Sequence, residues 1–309
     1  MSAAVNEEIY TVQCCASCGI AGIDDIKLKD CDECDLVKYC SDECQEDHRP
    51  QHKEECMKRA AELRDEILFK QPESSSFGDC PICCLPLPID VKKTTSTTCC
   101  SKLICKGCSL ANTKREVEGR LQHKCPFCRE ALVSTQEEAD EQRKKRIEAN
   151  DPVAICDMGT IKGLEGDYST AFEYFTRAAA LGDVNAHYQL SILYQHGKGV
   201  EKNEKKEFHH LTEATIGGHP AARFNLGCKE RESRRMNRAV SHWIIASKLG
   251  EDNSLENIKV LYKAGYLSKD VFATALLGYQ AAIEATKSPQ REEAYEVAKK
   301  WAEHNSRGV

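Results

Sequence analysis

Fifteen of the nineteen cysteines, with one histidine, stand in two consecutive arrays at metal-ligand spacing between residues 15 and 128. The first array reads Cys15-x2-Cys18, Cys31-x2-Cys34, Cys40-x3-Cys44, His52-x3-Cys56. The second reads Cys80-x2-Cys83, the doublet Cys99-Cys100, Cys105-x2-Cys108 and Cys125-x2-Cys128. A thiolate cluster at such spacing needs a metal. Zinc takes four tetrahedral sulfur or nitrogen ligands, and a closed set of four is structural rather than catalytic. Sixteen ligands make four closed sites, so four Zn2+ ions are expected with no open coordination position.

Disulfide bonding is the competing use of so much cysteine. Met1 is followed by Glu7 and Glu8, without the positive and apolar regions of a secretory leader. Paired Cys-x2-Cys spacing outside an oxidising compartment is read as metal binding, which implies the cytosol or the nucleus. No apolar run approaches the ~20 residues that span a bilayer. The formal net charge of −6 and the interleaving of Lys and Arg with acidic residues argue against a nucleic-acid partner, which calls for a basic stripe. A mildly basic patch around the second array (Lys92, Lys93, Lys102, Lys106, Lys114, Arg115, Arg120, Lys124, Arg129) reads first as solvated surface, with an acidic face of a partner as the alternative.

The chain is long enough for two or three domains. Residues 1–13 are expected to be a disordered tail, 57–78 a helical and linker segment closed by the turn-rich QPESSSFGD, and 131–150 a charged connecting helix. The remaining half is a repeat. Asn150, Gly182, Gly218 and Gly250 recur at spacings of 32, 36 and 32. Four residues after each stands a small residue (Ala154, Ala186, Ala222, Ser254), and four further an apolar one (Met158, Leu190, Leu226, Ile258). Before the glycines, Phe175, Leu211 and Trp243 recur at one offset, and Ala178, Ala214 and Ala246 at another. Small residues at i, i+4 spacing let two helices approach closely, so each unit is a helix pair and the array an all-α solenoid over 151–309. Thr286, with Tyr279 and Ala282 before it, marks a fourth unit, and residues 289–304 a capping helix started by Pro289. The stretch 188–218, with Leu190, Tyr194, Gly197, Gly199 and Val200, resembles the Sel1-like repeat, a relative of the tetratricopeptide repeat. The third unit departs from that pattern, carrying Lys229-Glu230-Arg231-Glu232 in place of the Gly-x-Gly-Val turn.

The first array, residues 14–56, is similar along its length to the MYND-type zinc finger, including Tyr39 directly before Cys40. The resemblance implies interleaved ligation: Cys15, Cys18, Cys40 and Cys44 on one zinc, and Cys31, Cys34, His52 and Cys56 on the other. The i, i+4 pairs place their ligands on helical faces, with Pro50 expected to separate two short helices. Cys14 competes with Cys15 and His48 with His52. Fingers of this family accept proline-rich peptides, which makes such a peptide an expected partner.

The second array, residues 79–130, resembles a RING finger, a small α+β module. It departs where the usual Cys-x-His would put histidine at Lys102, so the doublet supplies both ligands in an all-cysteine variant. The resemblance implies a cross-brace, with Cys80, Cys83, Cys105 and Cys108 on one zinc and Cys99, Cys100, Cys125 and Cys128 on the other. Cys84 is then a spare. An arrangement using Cys100 with some other partner stays open.

RING fingers recruit a ubiquitin-conjugating enzyme. By resemblance Ile82 and Pro126 fall at positions that contact it, and Arg129 matches the cation that also bonds ubiquitin. Each has a plainer role available: Ile82 in a core, Pro126 shaping the knuckle, Arg129 in solvent. By the same resemblance Asn112 stands where many active members carry a large apolar contact residue. The leading expectation is therefore a RING-type E3 ubiquitin ligase whose MYND-like finger and repeats select protein partners, without a covalent catalytic residue. The alternative is a non-enzymatic scaffold that binds proteins through all three modules.

Overall fold

The computed structural model describes residues 13–20, 22 and 27–306, the last three by backbone alone. The expected disordered tail, residues 1–13, lies outside the described residues except for Gln13. The chain divides into two compact units, Met1–Lys70 and Gln71–Val309.

In the first unit β1 (Lys29–Asp30) pairs antiparallel with β2 (Lys38–Tyr39), and one long helix, α1 (Asp42–Phe69), follows. Ser41 caps α1, its Oγ accepting from the Cys44 amide at 3.2 Å, and Asp42 and Glu43 oppose the helix dipole. The core is Cys15, Cys31, Cys34, Tyr39 and Cys56: four sulfurs and one ring, far too little apolar surface to fold without metal. Pro50 does not separate two helices as its ring chemistry led us to expect, because α1 runs through it. The turns on either side of Pro50 are held by ligands, Cys44 before it and His52 and Cys56 after it, which offsets the one backbone hydrogen bond that proline removes. Residues 57–69 simply continue this helix, where Arg59 makes paired bonds of 2.7 and 2.9 Å to Asp35.

The second unit begins with the second cysteine array. A 3-10 turn (Val91–Lys93) leads into β3 (Thr94–Ser96), which pairs antiparallel with β4 (Leu103–Cys105) in the register Thr94↔Cys105. Helix α2 (Lys106–Glu118) follows, with Cys105 at its N-cap position. Leu87 and Ile104 pack among Cys80, Cys105 and Cys108.

Beyond α3 (Gln136–Glu148), which starts on a Thr135–Glu138 capping box, the helices come in pairs. They are α4 (Pro152–Leu164) with α5 (Tyr168–Ala180), α6 (Val184–His196) with α7 (Glu204–Ile216), α8 (Pro220–Glu232) with α9 (Met236–Ser247), and α10 (Asp252–Lys263) with α11 (Lys269–Ala285). The repeat anchors have a conformational cause: Asn150, Gly182, Gly218 and Gly250 all adopt the left-handed backbone that ends a helix. The small residues Ala154, Ala186, Ala222 and Ser254 are buried, as are Leu190, Leu226 and Ile258 and the facing Phe175, Leu211 and Trp243. The fourth unit drifts from this register. Tyr279 is only half-buried and donates to Asp252 at 2.6 Å, while α11 buries Ala275. The helix begun by Pro289 is α12 (Pro289–Ser306), and it packs against α2.

The second cysteine array is seated on the repeats at several points. The Ser76 amide donates to the Gly218 carbonyl at 3.0 Å, and the Phe77 ring lies 6.0 Å from that of His219. Thr98 bonds Gln142 of α3 at 2.7 Å, and Ile89 approaches Gly250.

Candidate metal centres

Four groups of side chains gather their donor atoms within 4.8 Å: Cys15, Cys18, Cys40 and Cys44; Cys31, Cys34, His52 and Cys56; Cys80, Cys83, Cys105 and Cys108; and Cys99, Cys100, Cys125 and Cys128. We number them sites one to four. Each combines two ligand pairs distant in sequence, and the pairs of neighbouring sites alternate along the chain. The sulfur separations test what such a cluster fits. Cys31–Cys56 are 3.7 Å apart, Cys40–Cys44 3.6 Å, Cys83–Cys105 3.8 Å and Cys100–Cys125 4.0 Å. A disulfide requires ~2.05 Å. A tetrahedron of thiolates with Zn–S bonds of ~2.3 Å has edges of about 3.8 Å. The four clusters match four Zn2+ sites, and all four ligand positions of each belong to the protein.

The chain holds these thiols so that a divalent ion is the natural way to ionise them all. Burial works against the Cys15 thiolate, yet amide donors from Cys18, Cys40 and Ser17 lower its pKa to about 6. Cys80 is lowered to about 7 in the same way, by amides of Cys105, Cys83 and Ile82 overriding burial. Other ligands move oppositely. Proton sharing with Cys18 and Cys44 pushes Cys40 up to about 12, and burial, with Cys31 and Cys34 beside it, pushes Cys56 up to about 12. Each cluster sets one lowered thiol (Cys15, Cys31, Cys80, Cys125) beside at least one raised one (Cys40, Cys56, Cys108, Cys99), and a dication supplies the opposing charge that lets both ionise.

Local backbone geometry explains the knuckles. The residue after each of three Cys-x2-Cys pairs is left-handed: Gly19 (φ 77), Cys84 (φ 55) and Arg129 (φ 65). In each, that residue's amide returns to the first cysteine's carbonyl, at 2.9, 2.8 and 3.0 Å. Cys84 is thus a turn residue with an exposed thiol, and Cys14 is also exposed; neither joins a cluster. His52 is the histidine whose Nε2 lies 3.1 Å from the Cys34 sulfur. His48 stacks on it at 5.7 Å, and its Nδ1 bonds the Tyr39 hydroxyl at 3.0 Å.

The three contact candidates of the second array are placed differently from one another. Ile82 is exposed (41%) between its two cysteines. Pro126 is half-buried and lines a cavity of about 270 Å3 with Ile104, Leu132, Val133, Ala139 and Gln142, so that it faces α3. Arg129 is exposed and donates to the Asn112 side-chain oxygen at 3.3 Å. Asn112 also receives Arg115 at 3.0 Å and donates to the Lys124 carbonyl at 3.1 Å, which ties α2 to the last knuckle. Glu116, which the sequence reading passed over, is buried beneath these groups and accepts from the Lys124 amide at 3.2 Å. In the first unit a groove of about 470 Å3 runs past Tyr39, Gln45, Arg49, Pro50, Lys53 and Met57, over the ligands Cys31, His52 and Cys56.

Residues 15–56 match the MYND finger family, and residues 152–183 and 184–219 match the Sel1 repeat. No curated protein matches the chain. Among solved structures it is similar to a Sel1 repeat protein from Oxalobacter formigenes, at 19% identity over 58% of this chain and 72% of that one, with a TM-score of 0.42. It is also similar to c5321, a protective antigen of uropathogenic Escherichia coli displaying an SLR fold. There the identity is 26%, over 55% of this chain and 37% of the other, with a TM-score of 0.39. This chain spans little more than a third of that antigen's length. By the two family matches the protein carries a MYND-type zinc finger and Sel1 repeats. Among the described residues no helix is long and apolar enough to cross a membrane.

Proposed function

We propose that this protein is a zinc-built scaffold that binds other proteins, with the finger of residues 14–56 and the repeats of residues 151–309 as its binding modules and residues 79–130 as an internal brace. The observation that carries this reading is the seating of the second cysteine array on α3, on the repeat loops at Gly218 and Gly250, and on α12. A module bonded at that many points serves to set the form of the repeats. Closed coordination at all four sites leaves no position for a metal-bound nucleophile, which removes zinc-dependent hydrolysis from consideration. The fitting ligand for the finger is a proline-rich peptide: the groove beside Tyr39 and Pro50 offers apolar surface at Met57 and donors at Gln45 and Arg49. Free thiolate ligands suit a reducing compartment, cytosol or nucleus. Titration of the full chain with proline-rich peptides tests this reading. Binding should be lost in Met57→Glu with zinc content unchanged, and equal affinity in that variant would remove the groove from the proposal.

A second reading, a RING-type ubiquitin ligase, draws support from the interleaved all-cysteine sites three and four around the β3–β4 hairpin and α2, and from the exposure of Ile82 and Arg129. Catalysis would be by presentation: Ile82 docking a conjugating enzyme and Arg129 hydrogen-bonding its ubiquitin, with no covalent step on this chain. The orientation of Pro126 toward α3 and the Asn112 bond to Arg129 favour the scaffold. Discharge of ubiquitin from a panel of loaded conjugating enzymes separates the two. A ligase discharges at least one of them, is silenced by Ile82→Ala and is slowed by Arg129→Ala; a scaffold discharges none.

A further inference from the structure

Arg291 is wholly buried, 208 residues from the cysteine it touches. It stands in the first turn of α12, its amide bonded to the Ser288 hydroxyl at 3.3 Å. Its guanidinium enters the chain reversal behind the Cys80–Cys83 knuckle. One terminal nitrogen donates to the carbonyls of Pro86 and Thr286, both at 2.7 Å. The other donates to the Leu85 carbonyl at 3.1 Å and to the Cys83 sulfur at 3.3 Å. The other half of site three is touched as well. A Cβ on Gly107, between Cys105 and Cys108, would lie 2.8 Å from the Arg291 amide nitrogen and 2.9 Å from the carbonyl carbon of Gln290, so the two backbones meet with no room for a side chain. Around this contact Lys114 pairs with Glu293, and the Lys93 ammonium lies 4.9 Å from the centre of the Tyr295 ring.

A zinc ion held by four thiolates carries two units of net negative charge, which a buried site must balance with donors. A cation donating to a ligand sulfur lowers its basicity and fixes its direction, and such outer partners are worth roughly 10–100-fold in metal affinity. We propose that Arg291 is the outer partner of site three, so that zinc at Cys80, Cys83, Cys105 and Cys108 and the docking of α12 on α2 stabilise each other. The coupling is reciprocal, as any linkage between two equilibria must be. Loss of site-three zinc frees the first turn of α12, and loss of the Arg291 bonds loosens that zinc ahead of the other three. This inference rests on zinc occupying site three and on neither reading of function, scaffold or ligase.

The test uses the zinc-loaded full chain under a chelator challenge, with alkylation of each cysteine followed by mass spectrometry. In Arg291→Gln the four cysteines of site three become alkylated as a set about 10–100-fold faster, the other ligands keep their rates, and Arg291→Lys recovers part of the protection. Glu293→Ala, which removes only the peripheral ion pair, serves as the control for a loosened helix and changes these rates little. In the Co2+-substituted protein, Arg291→Gln shifts a thiolate-to-metal charge-transfer band to lower energy, which a purely mechanical clamp would not do. Conversely, Cys80→Ser raises amide exchange across residues 289–303. Wild-type alkylation rates at site three in Arg291→Gln, equal acceleration at all four sites, or unchanged exchange in α12 after loss of site three would each overturn the proposal.

Discussion

His219 sets a pH limit on the contact between the second cysteine array and the repeats. It is the N-cap of α8, where its Nδ1 accepts from the Ala222 amide at 3.1 Å, so the ring is the neutral tautomer with its proton on Nε2. The ring is 5% exposed and stacks on Tyr188 at 4.3 Å, with Phe77 beyond. Burial lowers its pKa from 6.5 to about 4. The unfolded chain therefore binds this proton more readily than the folded one between those two values, and stability rises with pH across the window. The contribution is fully present above pH 6.5, falls as pH drops toward 4 and levels below it. At 1.36 kcal/mol per pKa unit the full loss is about 3 kcal/mol, of which about 2 kcal/mol is gone by pH 5. Urea unfolding at saturating zinc, followed by helical circular dichroism at pH 7 and pH 5, measures it. His219→Asn keeps a capping acceptor and removes the titration. The variant is less stable at pH 7 because it loses the stacked ring, but its difference between pH 7 and pH 5 should shrink by about 2 kcal/mol. Acid weakening of the zinc sites is common to both chains and cancels in the comparison. Equal pH dependence in the two proteins, or an imidazole resonance of His219 titrating near 6.5, would refute the reasoning.

Elemental analysis of reduced protein should return four zinc ions per chain; Cys99→Ala or Cys100→Ala should lose one, whereas Cys84→Ala and Cys14→Ala keep all four. Retained stoichiometry in Cys99→Ala would show that Cys100 ligates with another partner. Gly199, at φ +68, lies so close to the Tyr168 carbonyl that a side chain there would overlap it. Gly199→Ala should cost roughly 2–4 kcal/mol, from left-handed strain plus overpacking, read as a lowered Tm with zinc content unchanged. An unaltered Tm would mean the turn does not pack on α5 in solution.

The ligands were legible because a knuckle is a local object: Cys-x2-Cys fixes two donors and the turn between them, and nothing distant is needed to recognise it. The doublet was implied by the resemblance to a RING finger, whose usual histidine would fall at Lys102, and Cys99 and Cys100 do share one cluster. Repeat anchors were legible for a comparable reason, a left-handed backbone at each helix end, with Asn150 standing in for glycine. Pro50 misled because local propensity was weighed without the metal ligands that hold the helix on both sides of it. Tyr279 misled because the fourth pair keeps the sequence period while its core moves to Ala275. Arg291 was not legible at all. In sequence it is one more basic residue in a charged helix, and only tertiary contact shows that it bonds two carbonyls and a sulfur some two hundred residues earlier.

That separation has a consequence for synthesis. The cysteines of site three leave the ribosome long before Arg291 does. At ~5–20 residues per second the interval is on the order of 10–40 s. Through that time the nascent cluster can take up zinc but lacks its arginine, and the face of α2 against which α12 packs stands open. Newly made chains thus pass through a form in which site three lacks the Arg291 bonds and the α2 face is uncovered, the kind of transient exposure that makes incomplete chains prone to association. A chain interrupted before α12 never leaves that form, whatever the soundness of the modules already made.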